Sequence, residues 1–82
     1  MNDTAILMKL TPLLRTVFND DSLTATPELT ASEVRDWDSL GQIRLFFEVE
    51  RVFSVRFSPT EVSSAKSVGQ IADLIATKTA AT

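Results

Sequence analysis

The chain predicts an all-α fold: a bundle of three longer helices and one short helix, with a long first loop. Two observations carry this. Apolar residues recur at helical spacing in three separate stretches, and the one short alternating run finds no partner strand. Helix-start signatures stand ahead of the later stretches, at Asp38-Ser39, Ser58-Pro59-Thr60-Glu61 and Ser67-Val68-Gly69-Gln70. A length of 82 residues suits one domain with a small core.

In chain order, Ile6, Leu7, Leu10, Leu13, Leu14, Val17 and Phe18 define a first amphipathic helix from Asp3 to Phe18. Pro12 removes a backbone hydrogen bond inside it, so the reading is one helix kinked at Pro12, preferred over a new helix capped at Thr11. Asn19 to Trp37 lacks a sustained period and is read as loop, pinned by Leu23, Leu29 and Val34, with one helical turn at the Thr30-Ala31-Ser32-Glu33 capping box. Loops of this length in compact domains are usually functional.

The central helix follows, from Asp38 to Phe53. Its apolar residues Leu40, Ile43, Leu45, Phe46, Phe47, Val49, Val52 and Phe53 cover most of the circumference, leaving a polar stripe of Gly41, Arg44, Glu48 and Arg51. This predicts a helix with neighbours on several sides and a core formed around it. Asp38 is the expected N-cap, because its carboxylate accepts the free N–H groups of the first turn. Ser39 then lies at the positive end of the helix dipole. Trp37, just before, is expected to pack while remaining partly exposed.

Beyond Phe53, Ser54 to Phe57 form a turn. Ser58 as N-cap, Pro59 at the first helical position and Glu61 at the third predict a short helix from Pro59 to about Ser63. Ser67 to Gln70 open a last helix that buries Val68, Ile71, Ala72 and Ile75, with Thr79 to Thr82 expected to fray.

Asp38-Ser39-Leu40 opening an apolar helix, followed by the Ser58-Pro59-Thr60-Glu61 turn and the last helix, resembles the acyl carrier protein family. The resemblance covers nearly the whole chain and runs without a gap from Asp38 through Ile75. It implies that Ser39 carries 4′-phosphopantetheine, attached by a phosphopantetheinyl transferase, with Asp38 and Leu40 shaping the transferase site. By the same resemblance, Asp38 helps the transferase hold magnesium and coenzyme A, a role not extended to Asp36. It further implies a short third helix that flanks the prosthetic group and moves when acyl chains enter. The tripeptide alone also fits an ordinary capped helix, since Asp and Ser favour helix starts everywhere.

Composition narrows the chemistry. With no cysteine and no histidine, disulfides, thiolate chemistry and the usual zinc sites are excluded, and the commonest general base is missing. Ser39 has no His or Lys beside it in sequence, so activation of its hydroxyl falls to another protein, and a small hydrolase is disfavoured. A carrier suits this absence because its reactive thiol is borrowed. A net charge of −3 and a pI near 4.7 argue against nucleic acid and suit a basic protein partner. Neither a signal peptide nor a membrane span is read, which makes a cytoplasmic protein the expectation.

Typical carriers of fatty-acid synthesis place acids along the second helix, where partner enzymes read them with basic patches. Here Gly41, Arg44 and Arg51 replace acids, while Glu50 and Asp38 remain. Arg44, Glu48 and Arg51 also fit a plain solvated ion-pair row. The mixed-sign stripe predicts a specialised carrier whose clients, an acyl or aminoacyl ligase and acyltransferases or synthases, touch Arg44, Phe47, Glu48 and Arg51. Phe46, Phe47, Phe53 and Phe57 are read either as core or as lining for an acyl chain; bulk that fills the space of a long chain would leave short, amino-acid or unusual cargo, and the sequence does not decide the cargo. A starting methionine, a short lead-in and the lack of Pro- or Ala-rich linkers favour a discrete protein over a domain cut from a modular synthetase, with a monomer as the default expectation. An unmodified helical adaptor is the rival from another class.

Overall fold

Each longer helix has one fully buried stripe, and burying the three stripes against one another produces the core. The structure is a computed structural model that describes residues 3–80. Helix α1 (Asp3–Val17) contributes Ile6, Leu10 and Leu14; α2 (Ser39–Phe53) contributes Leu45, Phe46 and Val49; α4 (Val68–Ala80) contributes Val68, Ile71 and Ile75. The short helix α3 (Pro59–Ser64) buries no residue fully and lies against α2. No strand is found among the described residues, only one isolated antiparallel bridge between Thr30 and Ser67. The all-α expectation of three longer helices and a short one is what the chain adopts.

The elements begin where capping chemistry placed them. Asp38 Oδ1 accepts the Gly41 N–H at 2.8 Å and starts α2. Ser58 Oγ accepts the Glu61 N–H at 3.1 Å while Glu61 Oε1 accepts the Ser58 N–H at 2.8 Å, the reciprocal box that starts α3 with Pro59 first in the helix. Helix α1 runs unbroken through Pro12. Ser54, in the left-handed conformation at φ 56°, ends α2.

The first loop is held at both ends of its course. Thr11 Oγ1 accepts the Ala25 N–H and Arg15 Nε donates to Leu23 O, tying its early part to α1. Its later part makes the single 3₁₀ turn Ala31–Glu33 and a strap on α4: Val68 N–H donates to Leu29 O at 2.8 Å, Gly69 N–H to Pro27 O at 3.1 Å, and Ala31 N–H to Lys66 O at 2.9 Å. The strap thus takes up donors that a helix start would otherwise leave unpaired.

Four expectations are corrected. The central helix is not surrounded: Leu40, Ile43 and Phe47 are 61–66% exposed and Val52 36%, because α1, α3 and α4 leave one side of α2 uncovered. Gly41 belongs to no polar stripe and is buried, since a Cβ there would sit 2.3 Å from Asp36 O and 2.9 Å from the Phe18 ring. Trp37 is 5% exposed, stacked on Phe18 with ring centroids 5.5 Å apart. Thr79 and Ala80 are helical, the Thr79 hydroxyl donating to Ile75 O at 2.9 Å; the rest of the expected fraying, at Ala81 and Thr82, lies outside the described residues.

Candidate functional site

Asp38 caps α2 with one oxygen, and Ser39 is therefore the first helical residue, exposed, with a hydroxyl that makes no hydrogen bond among the described residues. It faces the positive end of the helix, where an anion is favoured. Leu40 follows it into solvent. Ser39, Asp38 and Leu40 thus stand together and accessible at one corner of the molecule.

Ser39 borders a cavity of about 770 Å³ between α2 and α3. The walls are largely apolar: Ile43, Phe46 and Phe47 from α2, Phe57 from the turn, and Val62 from α3. Here the aromatic residues do not fill the space. Phe46 and Phe57 meet edge to face at 5.0 Å and leave the cavity open beside them, while Phe53 is buried in the core and lines none of it. The inference from aromatic bulk to short cargo therefore loses its basis.

One residue escaped the sequence reading. Gln42, one turn after Ser39, is a buried polar side chain with every amide hydrogen committed. Its Nε2 donates to Val62 O at 2.6 Å and to Ala65 O, and its Oε1 accepts the Trp37 indole N–H. Those two carbonyls are groups that the end of α3 leaves without helical partners. The only sequence signal was a glutamine within an otherwise apolar helix face, and its partners lie 20 and 23 residues away.

The opposite end of α3 is fixed by Glu61. Besides closing the capping box, Glu61 Oε1 accepts from Lys78 Nζ of α4 at 2.9 Å, and Lys78 also lies 5.5 Å from the Phe57 ring centroid. The Ser58 N–H first, and the Lys78 ammonium with it, hold the Glu61 carboxyl below its ordinary range.

On the uncovered side of α2, Ile43 and Phe47 form a ridge between this cavity and a shallow cleft of about 320 Å³ shared with Val17, Arg44 and Glu48. The expected row of three charges forms only in part. Arg51 pairs with Glu48 at 2.7 Å, which lowers the Glu48 pKa through the hydrogen bond from Arg51. Arg44 instead donates to Val17 O, because the end of α1 offers an unpaired carbonyl within reach. Among the described residues no group of three or more acidic side chains is placed to hold a metal ion, and no helix is long and apolar enough to cross a membrane.

Comparison with known proteins agrees with this arrangement. The chain is similar to the solution NMR structure of a holo acyl carrier protein from Geobacter metallireducens, with 38% sequence identity, a TM-score of 0.85, and coverage of 93% of this chain and 87% of that one. No protein-family model matches the chain. No curated protein matches it either.

Proposed function

The chain belongs to the acyl carrier protein family, and from that premise we propose that it is a discrete carrier holding acyl or aminoacyl intermediates as thioesters on 4′-phosphopantetheine attached to Ser39. The observation that supports this most directly is the placement of Ser39: exposed, unbonded, first in α2, and on the rim of a large apolar cavity. When bound, the group supplies the terminal thiol that this cysteine-free chain lacks.

The residues present suit such an attachment. Without a histidine the chain offers Ser39 no imidazole base, and the transferase supplies the activation. The first-turn N–H groups favour the negative phosphodiester. Asp38 secures the helix start with Oδ1, and Leu40 offers an apolar contact beside Ser39 for the transferase.

Client enzymes meet the uncovered face of α2. Phe47 gives them an apolar anchor, and Arg44, Glu48 and Arg51 give charges of both signs. A partner surface made only of basic groups would face Arg44 and Arg51 with like charge, so the face suits a dedicated pathway more than clients that read an acidic helix.

The decisive measurement is an intact-mass spectrum before and after incubation with coenzyme A, magnesium and a broad-specificity phosphopantetheinyl transferase. Gain of one phosphopantetheinyl mass by the native chain and none by Ser39→Ala is the expected result. No gain by a folded, previously unmodified chain would sink the proposal.

A further inference from the structure

The cavity beside Ser39 is unusual in how its polar groups are spent. Trp37 and Gln42 both line it, and each of their side-chain N–H groups is already given to a protein acceptor: the indole N–H to Gln42 Oε1, and both amide hydrogens to Val62 O and Ala65 O. Only this orientation of the amide satisfies all three bonds, because two carbonyls demand donors and an indole demands an acceptor. Ser63, also in the lining, donates its hydroxyl hydrogen to Thr60 O.

What remains inside is acceptor capacity. Glu50 borders the cavity beside Phe57, with Oε2 taking the Phe57 N–H at 2.9 Å and the other carboxylate oxygen available. Apart from Ser39 itself, the free side-chain donor in the lining is the ammonium of Lys66, an exposed residue at the rim next to Ala31 and Ser63. A carbonyl carried into the aromatic part of the cavity would lose its water and find no hydrogen in exchange. Burying an unsatisfied acceptor costs about 1–3 kcal/mol.

We propose that Gln42 is a specificity-determining residue of this cavity: by consuming the indole N–H and both of its own, it makes the cavity accept saturated acyl chains and reject chains bearing an internal carbonyl. This rests on the carrier reading and narrows its cargo. Two of these bonds, to Val62 O and Ala65 O, hold α3 against α2, so one side chain sets both the polarity and the closure of the site. Replacing Gln42 by Leu frees the Trp37 N–H to serve a cargo carbonyl. Replacing Trp37 by Phe in addition takes that donor away again.

The test loads Ser39 with two pantetheine amide analogues of equal chain length, octanoyl and 5-oxooctanoyl, and confirms each product by mass. Nuclear Overhauser contacts from the chain's terminal methyl to the Phe46 and Phe57 rings, and the chemical shift of the Trp37 indole N–H, then report burial. The native chain is expected to bury octanoyl with a buried-to-exposed ratio at least about fivefold above that of 5-oxooctanoyl, the lower end of the cost of an unpaired acceptor. Gln42→Leu is expected to narrow that ratio, and the Gln42→Leu, Trp37→Phe pair to restore it. Equal burial of the two chains in the native protein would overturn the proposal even if neither variant folds. Failure of both analogues to attach at Ser39 would instead overturn the carrier reading beneath it.

Discussion

Gly41 shows how tightly a single position is determined. A methyl group there would sit 2.3 Å from the Asp36 carbonyl oxygen and 2.9 Å from the Phe18 ring, and backbone cannot swing aside as a long side chain can. Gly41→Ala is expected to destabilise the fold by about 1–3 kcal/mol, the usual range for overpacking, seen as a lower urea midpoint at unchanged slope. The shift would also displace the loop that delivers Asp38 to its cap, so transfer of phosphopantetheine to Ser39 should slow in this variant. At the same scale, Phe47 and Val49 separate surface from core although both read as apolar. Phe47→Ala is expected to leave stability within about 0.5 kcal/mol and weaken client binding, because the ring is 66% exposed. Val49, at 0% exposure, has no such freedom, and Val49→Ala should lower stability by about 1–3 kcal/mol through a lost contact and a cavity. Parallel denaturation and client-binding titrations check the pair.

At the scale of the element, α3 is the informative case. It has no fully buried residue, and its place depends on Glu61 at one end and Gln42 at the other. The Glu61 carboxyl is held below its ordinary pKa by the Ser58 N–H first and Lys78 second. A depressed carboxyl contributes stability above its unfolded pKa and loses it as pH falls through the folded one. Acidification below the ordinary Glu range should therefore loosen the start of α3 before the core responds. Amide exchange of the α3 residues followed against pH tests this, and Glu61→Gln should show the loosened exchange already at neutral pH. Loss of protection in α1 and α4 at the same pH as in α3 would contradict it.

Element starts were legible in the sequence because capping is local: Asp38 and Gly41, or Ser58 and Glu61, are three residues apart, and the bond needs nothing else. The side of α2 that meets solvent was not legible. Leu40, Ile43 and Phe47 are as apolar as Leu45 and Val49, so periodicity could not choose between them; the packing of α1, α3 and α4 did. The place of Ser39, exposed and first in α2, was legible from its tripeptide and its helix together. Gln42 and the burial of Trp37 were not, since each depends on a partner or neighbour supplied by a distant part of the fold: the α3 carbonyls for one, Phe18 for the other.

For the whole molecule, α1, α2 and α4 bury one continuous cluster, which predicts a single cooperative transition. Far-ultraviolet circular dichroism and Trp37 fluorescence should trace the same melting curve, because the indole stacks on Phe18 and bonds to Gln42 within that cluster. An earlier fluorescence transition would mean that the loop leaves the helices while they remain packed.

The strap between the first loop and α4 also sets an order of events in time. Its three backbone bonds join Pro27, Leu29 and Ala31 to Gly69, Val68 and Lys66, across nearly half the chain, whereas each helix closes on its own neighbours. Closing so long a segment costs entropy that only an already assembled core offsets. The strap is therefore expected to close after the helices have packed. The segment leading into Ser39 is then the one whose closure is expected to be slowest to arrive.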